Sequence, residues 1–97
     1  MAATKEQITV STSPVKLTEE NVDQYQRTVV IVNVEGHPIR MWIDGSDPTS
    51  SEGLLVDEGA KLVFANRTQA RNFRAIRDGA DDATLNVQYL DTVAPGI

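Results

Sequence analysis

The sequence predicts an all-β fold, a single antiparallel β-sandwich of jelly-roll or immunoglobulin-like type with about seven to eight short strands. Turn-forming residues recur roughly every eight to twelve residues, which is the spacing of strands in a sandwich. Runs rich in β-branched and aromatic residues lie between these turns. Most connections have the length of hairpins, which favours antiparallel pairing.

Residues 1–97 are expected to form one domain, with 1–14 and 91–97 as extended arms that contact neighbouring subunits. The chain has no cysteine, so no disulfide supports its small core. The first residues lack the apolar stretch of a signal peptide, and we therefore expect a protein that is used without secretion.

The charge balance limits the expected partners. With 14 acidic and 9 basic residues the net charge is −5, which argues against a nucleic-acid clamp or a polybasic membrane patch. No apolar run approaches the roughly 20 residues of a membrane span. We expect neither nucleic acid nor membrane as a partner.

The strongest predicted strand is Arg27–Val34, in which five of eight residues are valine or isoleucine. Such a strand is expected at the centre of the structure, or with one face in the core and the other against a partner. Glu35–Pro38 is predicted to be a hairpin turn leading into a return strand, Ile39–Asp44. Three residues of that strand are expected to face the core: Ile39, Met41 and Ile43.

Six further strands are predicted at Ile8–Val10, Val15–Leu17, Leu54–Val56, Lys61–Ala65, Asn72–Arg77 and Thr84–Tyr89. Ile76 falls one place out of register with Phe73, so a β-bulge is expected near Ala75. Leu85, Val87 and Tyr89 are expected to point inward. A helical turn or a loop is expected after Thr18 and at Asn66–Ala70.

No residue pattern indicates catalysis. His37 is the only histidine and lies in a predicted turn, where a solvated side chain is the favoured interpretation over a triad base. There is no thiol, and the serines lie in loop-like stretches without a nucleophile elbow. We expect no enzyme activity, no cofactor and no zinc site.

Acidic residues cluster around the segment Asp44–Glu58, and calcium binding is one interpretation of them. Their spacing matches no known calcium loop, and aspartate is common in turns for backbone reasons, so solvated turns are favoured. The cluster consists of Asp44, Asp47, Glu52, Asp57 and Glu58.

Basic residues are concentrated between Arg67 and Arg77 in an otherwise acidic chain. This is either a solvated face with weak salt bridges or a docking face, for which arginine is well suited. Trp42 shares a face with Arg40 and is either covered by another segment or an interface anchor. The candidate protein interface therefore comprises Arg40, Trp42, Arg71, Arg74 and Arg77.

Several segments carry a family resemblance that covers about two thirds of the chain, from Arg27 to Tyr89. They are Thr28–Asn33, Gly36–Arg40, Ile43–Thr49, Gly53–Leu55, Glu58–Gly59, Asn72–Arg77 and Ala83–Val87. With these segments the chain resembles the small β-sandwich decoration (cement) and accessory virion proteins of tailed bacteriophages.

The resemblance implies a non-enzymatic virion protein, made in the host cytoplasm, that binds the outside of an icosahedral head. Its expected partners are the major capsid protein and copies of itself, in a trimer or dimer on a lattice symmetry axis. The alternative is a carbohydrate- or receptor-binding module of a tail or fibre, with Trp42, Tyr25 and Tyr89 as candidate stacking aromatics.

Overall fold

The computed structural model describes residues 5–23, 27–64 and 66–91, with the backbone alone at 27, 28 and 91. In this part of the chain the elements, in order, are β1 Lys5–Val10, α1 Glu19–Val22, β2 Arg27–Glu35, β3 Ile39–Trp42, β4 Leu54–Val56, β5 Lys61–Phe64, α2 Arg67–Asn72, β6 Arg74–Arg77 and β7 Ala83–Asp91. Neither helix is long enough to cross a membrane.

The strands form two sheets, so the predicted all-β sandwich is confirmed. One sheet has four strands in the order β1-β7-β2-β5, and the other has three in the order β4-β3-β6. All their pairings are antiparallel. β2 lies inside the four-stranded sheet between β7 and β5, as its valine-rich sequence predicts.

The core lies between the two sheets and follows the alternation of the strands. Val30, Val32 and Val34 on β2 are buried, and Ile39 and Met41 on β3 face them from the other sheet. On β7 the predicted inward residues are confirmed as buried: Leu85, Val87 and Tyr89.

The predicted hairpin at Glu35–Pro38 is wrong, because β2 and β3 belong to different sheets. The segment is a corner in which Gly36 adopts a φ of 92°, a backbone conformation that glycine adopts without strain. The turn residues suit a corner as well as a hairpin. The apolar faces of β2 and β3 are buried against each other only when the chain changes sheet here.

The predicted bulge at Ala75 is also wrong, since β3 and β6 pair without interruption from Ile39 opposite Arg77 to Trp42 opposite Arg74. Ile76 lies on the outer face of β6, opposite Arg40, yet it is only 8% exposed. It lines a small depression with Thr12 and Ser50, so a distant segment and a loop shield it.

Some predicted element boundaries need correction. The predicted strand Val15–Leu17 is reduced to a single bridge between Val15 and Ala75. The first residue of the predicted strand Asn72–Arg77 is not extended, because α2 continues to Asn72. Residues 5–10 of the predicted N-terminal arm are β1, while 1–4 and 92–97 lie outside the described residues, so their contacts stay a prediction.

The two sides of the sandwich differ. On the side where β1 and β6 lie, the chain after β1 crosses to the other sheet and bonds to β6. Val15 and Ala75 exchange two backbone hydrogen bonds of 2.8 and 2.9 Å, and the Arg77 amide donates to Ser11 O at 3.2 Å. We call this the closed side; the side of β4 and β5, where no described strand pairs with either outer edge, is the open side.

A polar cluster at Glu6 holds α1 against the sheet. The Glu6 carboxylate accepts hydrogen bonds from the Tyr89 hydroxyl, from Thr18 Oγ1 at 2.7 Å and from Asn21 Nδ2 at 2.8 Å. Burial raises the pKa of Glu6, but these hydrogen bonds together outweigh that effect and leave its pKa below the ordinary value of 4.5.

Candidate protein-binding surfaces

The outer face of the three-stranded sheet carries three of the five predicted interface residues. Trp42 and Arg74 are direct cross-strand partners on β3 and β6. Arg40 lies two residues before Trp42 and therefore on the same face. Trp42 is partly exposed. It is therefore neither fully covered by another segment nor fully open to solvent, the two arrangements that the sequence left open.

The guanidinium of Arg40 forms its hydrogen bonds within the protein. Its Nε lies 3.0 Å from Asp78 Oδ1, and its Nη1 donates to Gly53 O at 3.2 Å. Gly53 has a φ of 143°, and a Cβ there would lie 3.1 Å from Pro48 and 3.2 Å from Arg40. Arg40 therefore fixes the loop before β4, and this leaves its guanidinium less adaptable as an interface group.

Arg74 folds over the end of α2. Its Nη1 donates to Arg71 O at 2.8 Å and to Phe73 O at 2.9 Å, which satisfies carbonyls at the helix terminus. Arg71 itself lies on α2, with its Nε 3.3 Å from Asp23 of the segment after α1. Arg71 and Arg74 line one shallow depression together with Glu19, so a charged area with two arginines extends from the sheet onto the helix.

Arg77 lies apart from this face. It pairs with Ile39, whose side chain points into the core, so Arg77 projects from the opposite face of β6. Its Nη1 donates to Asp82 Oδ1 at 2.7 Å. We name the remaining cluster the Trp–Arg face, defined by Trp42, Arg71 and Arg74; its role as an interface stays a prediction.

A second candidate surface was not predicted from the sequence. On the edge strand β4, Leu54 and Leu55 are 49% and 52% exposed. Three carboxylates flank them, and we call the whole set the leucine edge. It consists of Glu52, Leu54, Leu55, Asp57 and Glu58. The apolar run Leu54–Val56 was visible in the sequence, but nothing there indicated that the strand lies at an edge.

A third surface is the outer face of the four-stranded sheet, which we call the lysine face. Pairing aligns its side chains in cross-strand rows. The two central rows are Gln7–Asn86–Asn33–Lys61 and Lys5–Gln88–Ile31–Val63, and an apolar row follows, Leu90–Val29. All members of the two central rows except Val63 line a shallow concavity of about 720 Å³. Alternation with inward-facing Leu62 and Phe64 was the available signal for the outward Val63, which is 59% exposed.

The acidic residues between Asp44 and Glu58 lie in turns and loops on either side of β4, where side-chain oxygen atoms accept hydrogen bonds from the chain's own amides. Asp44 Oδ1 accepts from the Ser46 amide at 3.0 Å, and this hydrogen bond lowers the pKa of Asp44. Thr49 Oγ1 accepts from the Glu52 amide at 2.9 Å. Among residues 5–23, 27–64 and 66–91, no group of three or more potential metal ligands occurs.

The remaining candidates occupy unremarkable positions. His37 is exposed in the corner after β2, as predicted, with its Nδ1 3.9 Å from Asp81. Tyr89 is 2% exposed and therefore not available for sugar stacking, while Tyr25 lies outside the described residues. No family model matches the chain, and no curated protein or solved structure matches it either.

Proposed function

We propose that this protein is a capsid decoration protein, which binds the outer surface of an icosahedral phage head and stabilises it through protein–protein contacts. The observation that carries the proposal is the cross-strand pair of Trp42 and Arg74, partly exposed on a rigid sheet. Tryptophan and arginine are the residues most enriched among interface anchors. The family resemblance from Arg27 to Tyr89 supplies the identity of the partner.

The pair suits attachment because its side chains lose little conformational freedom on binding. The Arg74 guanidinium is already positioned by the carbonyls of Arg71 and Phe73, so it has less side-chain freedom to lose on binding. Trp42 adds a large rigid apolar area with only two rotatable bonds. A protein that binds the assembled shell and not its separate subunits stabilises the shell by mass action.

The test is attachment to undecorated shells. Purified protein is mixed with such shells, and both co-sedimentation and the melting temperature of the shells are measured. We expect binding and a raised melting temperature with the native protein. Trp42→Ala combined with Arg74→Ala should weaken attachment roughly 10- to 100-fold, since anchor residues each contribute about 1–2 kcal/mol or more.

Thr84→Ala, on the outer face of the other sheet, is the matched surface control and should bind like the native protein. Circular dichroism checks that each variant is folded. Native protein that neither sediments with shells nor changes their melting would reject the proposed function. Unchanged binding by the folded double variant would reject the Trp–Arg face as the attachment site.

A further inference from the structure

We propose that the leucine edge of one molecule docks on the lysine face of a second copy, so that the chain self-associates head to tail. This inference names the surfaces through which copies of the protein contact each other. It deepens the proposed function and rests on separate residues, since none of the Trp–Arg face takes part.

The leucine edge exposes apolar side chains and backbone groups that a binding partner could cover. Leu54 and Leu55 are about half exposed, and the outer edge of β4 offers unpaired peptide groups among the described residues. Glu52, Asp57 and Glu58 surround the leucines with negative charge. The edge therefore fits a partner that is apolar, positively charged and able to hydrogen-bond with a backbone.

The lysine face meets each of these requirements. Lys5 and Lys61 are exposed on its two outer strands, although the chain as a whole carries a charge of −5. At the outward positions of this sheet the one described carboxylate is Glu35, in the row farthest from Leu90. Glu6 also lines the concavity, and its carboxylate accepts hydrogen bonds from Thr18 and Asn21. Ile31, Val63 and Leu90 supply apolar area, and the row of amide side chains supplies donors and acceptors.

The two shapes are also complementary. A sheet edge with its turn is convex, whereas the lysine face lines a concavity of about 720 Å³. A leucine pair in that concavity would cover Ile31 and lie beside its cross-strand partner Val63, which at 59% is the most exposed large apolar side chain described. Burial of this apolar area provides the driving force, and the opposite charges set the orientation.

Edge-to-edge pairing of two copies of β4 is the competing arrangement, and its register is unfavourable. If two antiparallel copies pair about Leu55, then Leu54 faces Val56 and Glu52 faces Glu58 of the other copy. Like charges directly opposite each other destabilise a strand pair. The acidic residues thus disfavour the symmetric pair and favour the basic face of another copy.

Charge reversal tests the contact, with sedimentation equilibrium as the measurement. We expect the native protein to self-associate, and Glu58→Lys and Lys61→Glu each to raise the dissociation constant about tenfold. The double variant carries complementary charges again and should regain most of the affinity. Leu55→Glu should abolish association without unfolding the monomer, because this side chain is already half exposed. Glu19→Lys on α1 is the charge-matched control and should associate like the native chain.

The outcomes separate this inference from the proposed function. A native protein that stays monomeric at high concentration overturns the self-association, and its binding to shells would still support the decoration role. Tighter association of Glu58→Lys alone would instead indicate the edge-to-edge pair and would contradict docking on the lysine face. Failure of the double variant to recover would do the same.

Discussion

The closed and open sides of the sandwich differ in how the unpaired backbone groups at their sheet edges are covered. A β-sheet leaves unpaired backbone groups at each edge, and natural proteins cover, shorten or charge such edges. On the closed side, the segment after β1 bonds to Ala75 and Arg77 of β6. On the open side, β4 is short and flanked by carboxylates, with leucines left half exposed. We propose from this difference that one side serves folding and the other contact.

The largest contrast is expected from the same substitution on the two sides. Leu17→Ala on the closed side removes a side chain that is 2% exposed and should destabilise the protein by about 2–5 kcal/mol. Leu55→Ala on the open side, measured in dilute protein, should change stability by less than about 0.5 kcal/mol. Urea unfolding of both variants measures the contrast, and equal losses would show that the two sides are alike.

A smaller effect is expected at Glu6, whose cluster joins α1 to the sheet. Glu6→Gln weakens hydrogen bonds to a partly exposed carboxylate and should reduce stability at neutral pH by about 1 kcal/mol. The folded pKa lies below the ordinary 4.5, so this contribution is present above pH 4.5. It disappears as the pH falls through the lowered folded pKa, because both states are then protonated.

Unfolding of native protein and Glu6→Gln is therefore compared between pH 7 and acid pH. The two stability curves should converge at acid pH. A difference that stays constant across the range would mean that the carboxylate charge contributes nothing.

An effect similar in size to that at Glu6 is expected from Arg40→Met. The substitution removes the contacts of Arg40 with Asp78 and with Gly53 O, which span the three-stranded sheet. The pair is partly exposed, so a loss of roughly 1 kcal/mol is expected by thermal unfolding. Shell binding by the folded variant should stay near native, since Arg40 acts as internal support; a loss as large as that of the Trp42 and Arg74 variants would place it in the interface.

The alternation of apolar residues predicted which side chains of each strand face the core, but not which strands pair with each other. Val30, Val32 and Val34 are recognisable as a core face because period-two burial is a local property. Turn chemistry predicts a hairpin at Gly36 as readily as a corner, because it does not specify whether the next strand stays in the same sheet. Ile76 suggested a bulge because its cover comes from Thr12, more than 60 residues away in sequence.

The candidate site was predictable to a similar degree. Trp42 and Arg74 share a face because both strands alternate, and their cross-strand pairing satisfies that expectation. Arg71 lies beside Arg74 but on α2 and not on the sheet, and Arg77 projects from the opposite face because it has opposite parity on β6. The leucine edge could not be predicted, since an apolar triplet has the same sequence at the centre or the edge of a sheet.

Native-state hydrogen exchange, followed residue by residue at low and high protein concentration, tests the contrast between the sides most directly. We expect the amide of Ala75, bonded to Val15 O at 2.9 Å, to be equally protected at both concentrations. The amides of β4 that point away from β3 should exchange rapidly in dilute protein and gain protection as the concentration rises. Slow exchange of those β4 amides in the dilute monomer, or unprotected exchange at Ala75, would contradict the assignment of one side to folding and the other to contact.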